Sequence, residues 1–150
     1  MEILFTKSNY PASKLIMGVT GEPVSHCAIR YSNFVLHSNF TGFNITNLGE
    51  FQKHSTIVLR AEAGHPGVCS TILELLNRNL GKGYDWKAFF WLGIRLLAKK
   101  LGLPFWKVPL KEIAGLNICT EFVASVVLRD TTELLTPYQL YLLVSKTSKG

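Results

Sequence analysis

The stretches Val24–Tyr31 and Phe34–His37, joined by Ser32-Asn33, constrain this chain more than any other feature. Both are β-like, and a two-residue turn folds them into a hairpin. The turn length sets the register: Tyr31 faces Phe34, Ala28 faces His37 and His26 faces Asn39. Directly opposed residues share one sheet face, and alternate residues return to it. Cys27, Ile29, Tyr31, Phe34 and Leu36 therefore form an apolar face suited to a core. His26 and His37 fall on the other face as diagonal neighbours, roughly 7–8 Å apart between backbone positions. A three-residue loop would separate the histidines onto opposite faces.

Around this hairpin, Pro11–Met17 reads as a short helix and Thr20-Gly21-Glu22-Pro23 as a loop. Gly42–Thr46 and Thr56–Ala61 supply two more β-like runs. A helix is expected near Val68–Leu80, then a break at Gly81-Lys82-Gly83. A second helix near Asp85–Leu101 has Asp85 as its cap. Gly102 to Lys111 reads as a loop containing proline and aromatics, with room for a short strand. Further helices are expected over Ile118–Leu128 and from Pro137. Strands come early and helices late, so the fold class is α+β with a mostly antiparallel sheet.

Size and composition narrow the functional classes. The 150 residues suit one domain spanning 1–150, and 47% apolar with 17% charged residues is a globular composition. The net charge of +6 would suit an anionic partner, but the cations are scattered apart from Lys99-Lys100, Lys146 and Lys149. No Arg-rich stripe accompanies them, so the charge reads as a solubilising surface and no specific nucleic-acid partner is expected. Cys27, Cys69 and Cys119 are an odd set without CxxC spacing, which points away from a disulfide framework and towards a reducing compartment. Met1-Glu2-Ile3-Leu4-Phe5 lacks the pattern of a secretory signal. The longest apolar-looking stretch, Ala88 to Ala98, is interrupted by Arg95 and falls short of the ~20 residues of a membrane span. A soluble cytoplasmic protein with no transmembrane segment is the expectation.

Chemistry enters at Asn117-Ile118-Cys119-Thr120-Glu121-Phe122-Val123, which opens an apolar helix-like run. A thiol in the first turn of a helix faces unpaired N–H groups and the positive end of the dipole, which favour the reactive thiolate. With Asn117 as N-cap, Cys119 occupies the second helical position, among free amide donors. Cys119, His26 and His37 together look like a nucleophile, its base and an orienting group. Taken singly, a strand histidine is more often an ordinary polar residue, and a cysteine amid Leu, Val and Phe a small buried one.

Their joint layout resembles the permuted papain-like cysteine hydrolases, which include NlpC-type permuted amidases and the lecithin retinol acyltransferase and related phospholipase families. The resemblance is carried by Ser25-His26-Cys27-Ala28-Ile29, Phe34-Val35-Leu36-His37 and Cys119-Thr120-Glu121-Phe122-Val123. Gly42-Phe43-Asn44-Ile45 with Leu48 and Phe51, Gly83-Tyr84-Asp85 and Thr136-Pro137-Tyr138-Gln139-Leu140 extend it from about Ser13 to Leu143. It implies a permuted papain-like fold with Cys119 as nucleophile, His26 as general base and then acid, and His37 orienting His26. Cys119-Thr120-Glu121 replaces the Cys-Glu-His of the acyltransferase branch, and no membrane anchor is evident, so the bacterial hydrolase branch is the closer fit. The implied activity is cleavage of an amide bond, with lipid esterase or acyl transfer as the alternative. A peptide, a peptidoglycan fragment, a protein conjugate and an acyl lipid all remain candidate substrates, and no cofactor is needed.

Other polar residues read more simply. Glu121 is expected as an exposed helix carboxylate, Asp85 as a cap and His54 as a loop surface residue. His65 and Cys69 flank Pro66-Gly67, which disrupts a helical ligand pair. Zinc on His26, His37 and Cys119 is chemically feasible, but the cysteines lack finger or ribbon spacing and no metal is expected. Trp86, Phe89, Phe90, Trp91 and Leu92 make an apolar helix, read as a buried core helix with an aromatic cleft wall. A lipid-facing element making peripheral membrane contact is the competing reading. A catalytically inactive binding or structural module is the rival from another class. Oligomeric state is not legible.

Overall fold

The hairpin forms with the expected register. In the computed structural model, β2 (His26–Tyr31) and β3 (Phe34–Asn39) pair antiparallel, with Tyr31 opposite Phe34 and Ile29 opposite Leu36. Ser32 turns the chain with φ at 54°, the one positive φ outside glycine among the described residues. A positive φ at the first turn position matches the twist of the flanking strands. The structure describes residues 1–39, 41–62, 68–79, 90, 93–94, 97–98, 100–104, 119–128 and 135–147.

Three further strands complete an antiparallel sheet of order β4-β3-β2-β1-β5: β1 (Glu2–Lys7), β4 (Gly42–Asn47) and β5 (Thr56–Glu62). The chain is α+β. β1 was not among the expected elements, yet it lies between β2 and β5. Its Ile3, Leu4 and Phe5 are all fully buried, because both faces of this strand are covered. Such a run shows no alternation and so carries no period-two signal.

The two sheet faces are covered differently. Ile3, Phe5, Cys27, Ile29 and Leu36 pack with Phe122, Val123 and Val126 of helix α4 (Cys119–Val127). Ile72 of α3 (Val68–Asn79) and Leu140 and Val144 of α5 (Pro137–Thr147) close the same core. Tyr31 and Phe34 were expected in this core but are 50% and 56% exposed, at the turn end of the hairpin. On the opposite face, Leu4, Ala28 and Val35 meet Phe51 of α2 (Leu48–His54), with Leu48 and Ile57 at the margin among the described residues.

Helix α2 corrects the expectation of a loop at Gln52-Lys53-His54-Ser55. Asn47 starts it by accepting a hydrogen bond from the Glu50 N–H at 2.8 Å. Its one buried residue, Phe51, turns towards the sheet. Seven residues are too few to display a helical period, so the cap carries the signal. Helix α1 (Pro11–Thr20) outruns the expected Pro11–Met17 and stops at Gly21, whose φ of 71° is left-handed. Residues 90, 93, 94, 97, 98 and 100 are helical, in keeping with the helix expected over 85–101. Gly102, with φ at 71°, and the Leu103 N–H bonded to the Ala98 carbonyl close that segment. The break at 81–83, the Asp85 cap, the loop from 105 and the Asn117 cap lie outside the described residues. No helix among the described residues is long and apolar enough to cross a membrane.

Candidate active site

His26 is the first residue of β2, and Cys119 is the first described residue of α4. β1 fixes the histidine: Thr6 pairs with His26, and the Ser25 N–H donates to the Thr6 carbonyl at 2.9 Å. The Ser25 hydroxyl is in turn 2.5 Å from that of Ser13 on α1, and both are buried. Helix α4 packs on the Cys27 face, whereas the two histidines point to the face held by Phe51. Cys119 and His26 nevertheless line the same cavity, and the Cys119 side chain is hydrogen-bonded to both Cys27 and His26.

His37 lies beside His26 as the hairpin register requires. The ring centroids are 5.6 Å apart and the planes 79° from parallel. Phe51 closes on His37 edge-on, with centroids 5.0 Å apart. The two rings are brought together without bonding: His26 Nε2 and both His37 nitrogens are buried and have no hydrogen-bond partner among the described residues. Burial, aided by the His26 charge, pushes the His37 pKa down to about 3. His37 is therefore neutral across the physiological range and adds no charge to the site.

The thiols diverge. Burial pushes Cys27 well above its ordinary value, and its hydrogen bond to Cys119 acts in the same direction. The same contact, followed by the charge of His26, holds Cys119 well below its ordinary value despite burial. The contact thus favours the thiol form at Cys27 and the thiolate form at Cys119.

A cavity of about 590 Å³ opens at this place. Its polar floor carries Thr6, His26, His37, Thr46, Cys119 and Thr120; its walls include Leu15, Ile16 and Val19 of α1 and Phe90, Ile94 and Leu97. Phe90 is 66% exposed and Leu15 62%, so this apolar wall faces the opening rather than the core. Of the helix expected as core plus cleft wall, Ala98 is buried and Phe90, Gly93, Ile94 and Leu97 form wall. The hydroxyls of Thr6, Thr46 and Thr120 are buried without partners among the described residues. They leave hydrogen-bonding capacity on the floor for a polar group entering from solvent.

His54 ends α2, at the cavity rim, with Nδ1 3.3 Å from the Tyr10 hydroxyl. Asp85 and His65 lie outside the described residues, as do the side chains of Cys69 and Glu121. Among the described residues no three His, Cys, Asp or Glu side chains are grouped to hold a metal ion. Sequence reasoning missed Cys27 as a site residue. Strand alternation assigned it to the core, which it does occupy; its contact with Cys119 depends on how α4 packs. Thr6 was missed along with β1. No protein-family model and no curated protein matches this chain.

Proposed function

We propose that this chain is a cysteine hydrolase of permuted papain-like fold that cleaves an amide bond through a thioester. The observation that carries the reading is the meeting of Cys119 and His26 in one cavity, with Cys119 favoured as the thiolate. Cys119 attacks the carbonyl carbon, and the charge passes to its oxygen in a tetrahedral intermediate. The Cys119 N–H, in the first turn of α4, donates to that oxygen. His26 protonates the departing amine, then takes a proton from the water that releases the acyl group. The hydrogen bond between the Cys119 and His26 side chains supports their pairing as nucleophile and base. His37 acts as a positioning residue: neutral and buried, it braces the His26 ring with Phe51. Free thiols at positions 27 and 119 suit a reducing, cytoplasmic setting.

A peptide, a protein conjugate or a peptidoglycan fragment fits this chemistry. The apolar wall of Leu15, Ile16, Phe90 and Leu97 favours, as a second reading, an acyl ester whose chain lies along it. An electrophilic amide probe tests the hydrolase: Cys119 is labelled selectively, and His26→Ala slows that labelling by about a hundredfold. Equal labelling of Cys27, Cys69 and Cys119, indifferent to His26→Ala, would leave an inactive binding module as the better account.

A further inference from the structure

Hydrolysis needs Cys27 only as a hydrogen-bond partner of the nucleophile, a part that does not require sulfur. An alanine or valine could fill its place in the core, yet this position puts a second sulfur against the nucleophile. Cys27 is fully buried beside Phe5 of β1, while Cys119 is 7% exposed and lines the cavity. Of the two, Cys119 lines the cavity, and Cys27 is hydrogen-bonded to it from within the core. Both are free. We propose that Cys119 is a reversible oxidation site for hydroperoxides, with Cys27 as its resolving partner in an internal Cys27–Cys119 disulfide.

The steps balance with peroxide as the oxidant. The Cys119 thiolate attacks one peroxide oxygen and the O–O bond breaks. Sulfur gives up two electrons, forming a sulfenic acid, and the departing hydroxide takes a proton from the cavity and leaves as water. Cys27 sulfur then attacks the Cys119 sulfur, the S–O bond breaks, and the released hydroxide carries off the Cys27 proton as a second water. Two thiols and one peroxide become one disulfide and two waters. The reaction is intramolecular between groups already in contact, so it outpaces a second peroxide that would carry Cys119 irreversibly to sulfinic acid. The disulfide ties β2 to α4 and masks the nucleophile until a thiol reductant reopens it.

This rests on Cys119 being a reactive thiolate, as the proposed hydrolase requires, but its test reads mass rather than turnover. Full-length Cys69→Ser chain is treated with a small excess of hydrogen peroxide and followed by intact mass and peptide mapping. The expected product has lost two hydrogens, links the Cys27 and Cys119 peptides, and reverts in dithiothreitol. Cys27→Ala in the same background, compared at equal loss of the Cys119 thiol, carries about tenfold more Cys119 as sulfinic acid than the chain with both thiols. The mass loss is read on a chain that keeps both thiols, so it stands even if Cys27→Ala folds poorly. Direct passage of Cys119 to sulfinic acid, with no mass loss and no effect of Cys27, overturns the disulfide and leaves the hydrolase intact. Inertness of Cys119 in both chains overturns the reactive thiolate and both proposals with it.

Discussion

The two faces of this sheet are built to opposite standards. The face under α3, α4 and α5 is continuous and apolar, with Phe5, Ile29, Phe122, Val123 and Leu140 all essentially excluded from solvent. Among the described residues the other gathers four buried apolar residues, and beside them lie His26 Nε2, both His37 nitrogens and the hydroxyls of Thr6 and Thr46, buried without partners there. Burying unpaired polar groups costs free energy, which a complete core would avoid. Tight packing on one side lets the molecule carry that cost on the other, where a reacting group can enter. Such spending is characteristic of sites that bind or react.

The sharpest way to break this contrast is chemical. If the histidine face is the working one, Cys119→Ser lowers amide or ester turnover by about ten-thousandfold, with thermal unfolding nearly unchanged. A comparable loss of stability, measured by calorimetry, would instead make Cys119 a packing residue.

A pH series addresses the histidines next. His37 is neutral in the folded chain down to about pH 3, whereas an unfolded histidine takes a proton near 6.5. The unfolded state therefore binds more protons between those values, and stability falls as pH drops through that window. At about 1.4 kcal/mol per pKa unit, the loss reaches roughly 4–5 kcal/mol by pH 3. Urea unfolding at several pH values should show it, and His37→Leu should flatten the curve across the same window. An unchanged slope in the variant would place the proton uptake elsewhere.

Packing provides a third comparison. Phe122→Ala on the closed face should cost about 3–5 kcal/mol, and Phe51→Ala, beside the cavity, nearer 2 kcal/mol. Equal costs by denaturant unfolding would remove the distinction between the faces. The smallest effect concerns α2 alone: Asn47→Ala removes the hydrogen bond to the Glu50 N–H and should cost about 1 kcal/mol. Retained stability would mean that Phe51, not the cap, sets this helix.

The hairpin shows how much of the site is legible in the chain. A two-residue turn leaves no freedom in pairing Tyr31 with Phe34, and alternation then places His26 and His37 on one face. β1 and α2 were illegible for different reasons. β1 is pressed on both faces and so does not alternate, while α2 is shorter than the period that would reveal it. The fourth and fifth strands and the α3 and α4 helices lay close to their expected bounds, since one covered face stamps its period on each.

What the amino-acid order determined by itself is local: turn length, face of projection, and the placing of a thiol within a helix. Only the tertiary structure decided that α4 would cover the Cys27 face and still bring Cys119 to His26. Periodicity says which side of an element is buried, but not which partner buries it or how far along. That choice is made by the fit of side chains from segments distant in sequence, and the neutrality of His37 and the sulfur beside Cys119 both follow from it.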